Sequence, residues 1–371
     1  MTQPFRPDPR ASASTSTDLE REERLERIRR EAEVAGTVAE PGVLPTHAPL
    51  PPDRSPKTYY DLPLLKAPRW TWEIPTYFFV GGTAGASAVI AQAAAFAGED
   101  PSLVRSARTI AAAGALVSPA LLVRDLGRPR RFLHMLRVFK RRSPMSVGAW
   151  TLTAFGGSAT AAAVAGRLAS RRAHRGAWRA IENASGTAAA LSGSILATYT
   201  GVLLGATAIP AWAANARRLP LEFGTSGLGS AVAALELSGH TRNRPLRALG
   251  LLSSALATIL GLVFSRRKRS EAGLSSHQNA MRRTRLAGKL SGPVSLGLRL
   301  LSLGSRNPRQ LRRTAALAFL GGSLLERFAW ISAGRESTRD ARACLGFPPE
   351  TSQGQRRGTR RHPRETRRRS S

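Results

Sequence analysis

Ile74–Ala97 runs 24 residues without a formal charge, and Ala107–Val123, Val147–Gly166 and Thr187–Ala214 are further long apolar blocks bounded by arginine clusters. A helix of about 20 apolar residues, rising about 1.5 Å per residue, spans the hydrocarbon core of a bilayer. Four such blocks in one chain do not fit a soluble domain. Ala, Gly, Ser and Thr dominate them, which lowers their hydropathy but suits close contact between membrane helices.

Weaker blocks follow. Phe223–Ser238 contains Glu236, Leu246–Phe264 carries Arg247 near its start, Leu290–Leu303 includes Arg299, and Thr314–Ala333 contains Glu326 beside Arg327. The pattern predicts an all-α, polytopic transmembrane bundle of about eight spans, the fifth and seventh being the weakest. The domain borders expected are a disordered tail over 1–56, a transmembrane domain over 57–333 and a basic, disordered tail over 334–371. A short helix, polar on nearly all sides, is expected at Leu19–Val34. No charged segment leads directly into an apolar core at the N-terminus, so no cleavable signal peptide is expected.

The formal net charge is +32, from 56 Lys and Arg against 24 Asp and Glu. That excess points either to nucleic acid or to an anionic membrane surface. A nucleic-acid reading needs aromatics interleaved with basic residues or a recognisable module. Neither is present, so the arginines are assigned to anionic lipids, and no nucleic-acid partner is expected. Arg128–Lys140 reads as a short amphipathic segment lying in the interface plane, facing lipid phosphates or a docked protein. With one cysteine, Cys344, the chain has no set of ligands for an iron–sulfur cluster. His134 and His240 fall only at span ends, so no haem is expected either.

Several segments carry a resemblance. They are W-x-W-E-I-P at Trp70–Pro75, G-G-x-A-G at Gly81–Gly85, and D-L-G-R-P-x-R-F-L-x-M-L-R-V-F-K at Asp125–Lys140. S-P-M-S-V-G-x-W at Ser143–Trp150, Y-T-G-V-L-L-x-x-T-x-I-P-x-W at Tyr199–Trp212 and G-S-L-L-E-R-F at Gly322–Phe328 complete the set. Together they resemble the NrfD family, the polysulfide-reductase-type membrane subunits of iron–sulfur molybdoenzymes. The likeness covers Tyr59 to Asp340, dense in the first half and thin over Ser238–Arg313.

The resemblance implies a multi-pass protein of the cell membrane, in a formate dehydrogenase- or polysulfide reductase-like complex. It would exchange electrons between menaquinone, or another diffusible quinone, and a docked ferredoxin-like iron–sulfur subunit that serves a molybdopterin catalytic subunit. In the family, the quinone pocket uses polar side chains on the first and fourth helices. Tyr77 falls where some relatives place a histidine, which raises interest in Glu73 as the proton acceptor. Quinol oxidation releases two electrons and two protons, so its site needs hydrogen-bond partners for both ring oxygens and a proton acceptor.

Glu73, Tyr77, Tyr199 and Asp125 are therefore the candidate catalytic residues. Trp72, Gly81, Gly82, Gly85, Arg131 and His134 are candidates for holding the quinone or facing the docked subunit. Each has a plainer reading. Tryptophans suit the aromatic belt at the membrane boundary, the glycines close helix packing, and Asp125 a pair with Arg124 or Arg128. Glu222 fits the headgroup region, Glu236 snorkelling, and Glu326 neutralisation by Arg327. A purely structural anchor without a working quinone site is the alternative.

Overall fold

The computed structural model describes residues 23, 24, 26, 27, 30, 65–127, 130–170, 175–270 and 278–338; side chains at 130–132, 264–270 and 278–281 are not described. Met1–Tyr60 is a separate unit, and its described residues are helical, Arg30 lying 3.9 Å from Glu26 one turn away. The expected tail beyond 338 and most of Leu19–Val34 lie outside the described residues.

Within Asp61–Ser371 the described elements are all helical. They are α1 (Glu73–Phe96), α2 (Pro101–Leu126), α3 (Arg130–Leu136), α4 (Pro144–Ala169), α5 (Arg175–Gly205) and α6 (Pro210–Ala213). Then come α7 (Arg218–Leu235), a π-turn at Glu236–His240, α8 (Arg244–Ser270), α9 (Gln278–Lys289), a second π-turn at Leu290–Val294, α10 (Ser295–Gly304) and α11 (Pro308–Ser337). Counting the first π-turn with α7 and the second with α9 and α10, each expected apolar block falls mostly within one of eight long helical stretches.

Four of these are long and apolar enough to cross a membrane: Glu73–Phe96, Pro101–Leu126, Arg175–Gly205 and Arg244–Val263. The other four fall short of that standard. Ser, Thr and Gly dilute α4, and α7 and α11 carry charges of their own.

Local chemistry sets the helix ends. The Asp100 side chain accepts from Ser102 N–H at 2.8 Å with Pro101 at the first helical position, and Ser143 and Pro144 repeat the device at α4. Gly98 and Gly127 turn the chain at φ +68° and +67°, where a Cβ would be strained.

Two boundaries differ from expectation. The block read as Thr187–Ala214 begins far earlier, at Arg175, and stops at Gly205, because Pro210 starts a separate turn of helix. At the C-terminal end, α11 continues past Ala333 to Ser337. Gly334 belongs to the packed body, since a Cβ there would run into the Trp212 ring.

α1 sits at the centre, against α2, α5, α7 and α11. Its most apolar stretch is 72% buried, against 22% for that of α8. Backbones meet directly there: a Cβ on Gly85 would overlap the Gly193 carbonyl of α5, and one on Gly227 of α7 would come within 3.0 Å of the Gly82 oxygen. Around this centre the outer face is as apolar as the interior, and polar side chains are among those buried. Leu116, Leu191, Leu221, Leu252, Ile259 and Leu301 are exposed, while Ser87, Ser118, Thr200, Ser230, Glu236 and Arg327 are buried. Apolar surface of that extent needs a hydrocarbon surround.

Candidate functional site

The chain approaches α1 through Trp70–Trp72. Glu73, the first residue of the helix, is buried, and its carboxylate pairs with Nε of Arg124 at 3.2 Å. It also accepts a hydrogen bond from the Thr71 hydroxyl, which lies 3.4 Å from Oδ1 of Asp125. A threonine hydroxyl has one proton to donate. Two carboxylates thus compete for it, and protonation of either one resolves the competition. Arg124 pairs with Glu73 rather than with its neighbour Asp125, and its guanidinium lies 5.2 Å from the ring centroid of the half-exposed Trp72.

One turn deeper lie the tyrosines. Tyr77 is 4% exposed and Tyr199 6%, and they are within electrostatic reach of each other across the α1–α5 contact. Gly81 makes room on one side: a Cβ there would meet the Tyr77 ring at 3.6 Å and the Ser118 hydroxyl at 3.5 Å. Gly148 does the same for Tyr199, whose ring and hydroxyl occupy the place of a Cβ. The Tyr199 hydroxyl lies against the Gly148 backbone without an aligned hydrogen bond, and Ser118 Oγ also has no partner among the described residues. Buried hydroxyls left unpaired are uncommon and suit a guest oxygen from water or a ligand.

Glu73, Asp125, Tyr77, Tyr199 and Trp72 thus gather at one end of the α1–α2–α5 group, with Gly81 touching Tyr77. Gly82 and Gly85 face α7 and α5 instead, in helix-to-helix contacts. His134 on α3 is exposed, and among the described residues no hydrogen bond or ion pair joins it to this cluster. Arg131 lies in the same helix, but its side chain is outside the described residues. Leu133, Val138 and Phe139 are exposed around α3, as an interfacial segment requires.

Three distant segments meet at the same end. Trp70 stacks on Trp212 with centroids 5.2 Å apart and planes at 13°, and Nε1 of Trp212 donates to the Trp330 carbonyl at 2.8 Å. Arg335 of α11 donates to the Trp70 and Pro68 carbonyls. Trp212 is fully buried, so it belongs to the core and not to a boundary belt. Nearby, Arg218 forks onto Glu222 at 2.8 and 3.0 Å, and Arg327 bonds Glu326 at 3.1 Å with its guanidinium 3.7 Å from the Phe223 centroid. Only the adjacent Glu326–Arg327 pair was expected; Glu222, assigned to the headgroup region, is instead held by Arg218 at i,i+4 spacing.

Two other buried ion pairs were not expected. Arg108, inside the block read as apolar, pairs with Glu182 of α5 and faces Gln92, next to a small alanine-lined cavity bounded by Ala88, Ala111 and Ala159. Glu236 does not snorkel; it is fully buried and bonds Arg299 at 2.7 Å. Among the described residues, no three His, Cys, Asp or Glu side chains gather to hold a metal ion.

The family model for polysulphide reductase, NrfD, matches residues 64–267, from before α1 to near the end of α8. That is more than half of the 371 residues, and it includes Trp70, Glu73, Tyr77, Asp125, Tyr199 and Trp212. The Gly322–Phe328 segment lies beyond the match. No curated protein matches the chain. The extent of the family match, over helices whose motif segments pack at one end of the bundle, establishes that this chain belongs to the NrfD family of polysulphide reductase membrane subunits.

Proposed function

We propose that the chain is the quinone-interacting membrane anchor of an iron–sulfur molybdoenzyme-type oxidoreductase. It crosses the cell membrane with all eight long helical stretches, over a transmembrane domain of 57–333 extended to Ser337, and its arginine-rich loops meet anionic lipids. A ferredoxin-like iron–sulfur subunit docks at the Glu73–Asp125 end and serves a molybdopterin catalytic subunit.

The observation that carries the reading is Thr71 shared between Glu73 and Asp125, one turn from two buried tyrosines of which Tyr199 has an idle hydroxyl. The substrate is menaquinol or another quinol. In the oxidising direction it gives two electrons to the partner's cluster and two protons to the protein. Tyr199, and Tyr77 beside it, would bond a ring oxygen, while Glu73 takes a proton that Asp125 and the aqueous boundary accept in turn. Arg124 holds the Glu73 carboxylate in place. Tyr77 stands where some relatives place a histidine, so the acceptor role passes to the carboxylate pair.

The burial of both tyrosines favours a second reading, a structural anchor in which they only pack. Tyr77→Phe and Glu73→Gln in a purified, fully assembled complex separate the two under quinone titration. The quinone reading expects a raised KM for Tyr77→Phe, and a slower rate for Glu73→Gln that worsens at low quinone driving force. Normal quinone-dependent rates in both leave the structural anchor standing.

A further inference from the structure

We propose that Arg299 and Arg312, with Arg247 at the rim, form a binding site for a phosphate group at the opposite end of the bundle from Glu73. The site stands apart from the quinone reading. Arg299 is 97% buried, and its Nη1 bonds Glu236, yet Nε and Nη2 have no partner among the described residues. Those two atoms form the side-on fork that grips carboxylate or phosphate oxygens in pairs. Glu236 Oε2 is likewise idle, so this carboxylate does not occupy the fork.

The charge balance points the same way. Arg312, also buried, gives Nη1 to the Thr241 carbonyl at 2.6 Å and Nε to Ser302 at 3.2 Å, neither of which is an anion. Two buried guanidinium groups against one carboxylate leave a positive surplus, and the partly buried Arg247, within electrostatic reach of Arg312, increases it. Surplus buried charge is costly and is relieved by a counter-ion. Gly250 lacks the Cβ that would collide with the Arg299 guanidinium. Exposed Arg242, Arg244, Arg306 and Arg313 lie at the adjoining helix ends, while of the carboxylates at this end Glu99 accepts from Asn243 at 2.8 Å and Asp100 from Ser102.

Depth suits a phosphate. Arg247 and Arg312 lie three and four residues past the first residues of α8 and α11, and Arg299 five before the end of α10. At 1.5 Å per residue that is about 5–8 Å inside the helix ends, the thickness of the headgroup layer on each side of a bilayer. The phosphate therefore comes from an anionic phospholipid headgroup or from free phosphate.

The full chain, purified with its partner subunits in detergent, tests this. Native mass spectrometry reports retained lipid, and thermal unfolding is followed with phosphatidylglycerol, phosphatidylcholine or inorganic phosphate added. A retained anionic phospholipid, and stabilisation by phosphatidylglycerol above phosphatidylcholine, assign the site to lipid. Stabilisation by inorganic phosphate without retained lipid assigns it to the free ion. In either case Arg299→Lys, which keeps the charge and loses the fork, should bind about tenfold more weakly. A wild type that neither retains nor responds to any of these overturns the proposal, as does an Arg299→Lys protein that binds equally well. Because the wild type is measured first, a variant that fails to assemble does not shield the proposal.

Discussion

Tyr199→Phe removes one atom and separates packing from chemistry. The Tyr199 hydroxyl is buried against Gly148 and lacks an aligned hydrogen bond. An unsatisfied buried hydroxyl costs about 1–3 kcal/mol, whereas the dispersion contacts of one oxygen amount to less than about 1 kcal/mol. The ring, which supplies nearly all of the packing against α4, stays. Net stability should therefore hold or rise by about 1 kcal/mol, a midpoint shift of about 2 °C upward. Quinone-dependent turnover should fall, because a hydroxyl idle in the free protein is the one available to a ring oxygen. The assay is thermal unfolding of the assembled complex beside its quinone titration. A midpoint lowered by several degrees would show that the hydroxyl has a structural partner and refute the argument from its idleness. Raised stability with unchanged KM and rate would remove Tyr199 from the site.

Other perturbations bear on the frame. Gly85→Val pushes a side chain into the Gly193 backbone, so the α1–α5 crossing must widen at about 3 kcal/mol, read as lost yield and a lowered midpoint. Arg108→Met leaves Glu182 without its cation and should cost about 3 kcal/mol, while Arg108→Met with Glu182→Leu recovers most of it; equal losses in both proteins argue against the pair. Hydrogen bonds from the Ser102 side chain and backbone hold the Asp100 carboxyl below its ordinary value of 3.8. A depressed carboxyl stabilises above its unfolded pKa and loses that contribution as pH falls through the folded one. Unfolding midpoints measured from pH 6 to 3 should therefore fall less steeply for Asp100→Asn than for the wild type. Topology is tested by reporters after Gly98 and after Arg142, with the second expected on the cytoplasmic side; a periplasmic reporter active there rejects that orientation.

The sequence alone determined the helices and the family. Long apolar blocks form helices in hydrocarbon because every backbone polar group must be paired within its own segment. Asp100–Pro101, Ser143–Pro144 and Gly127 mark where helices begin or end through contacts a few residues long. The motif at Trp70–Pro75 and that at Tyr199–Trp212 were visible as strings, and so was the adjacent pair Glu326–Arg327.

Only the tertiary structure decided which charges are buried and with whom. Arg108 meets Glu182, Arg299 meets Glu236, Arg124 chooses Glu73 over Asp125, and Trp70 stacks on Trp212. These choices depend on which helices are neighbours and how each is rotated about its axis. A one-dimensional pattern carries the period of a helix, but in a bundle whose outer face is as apolar as its interior it does not mark which face turns inward. Small residues let α1 approach α5 and α7 at backbone contact, and that approach selects the partners of every charge around it.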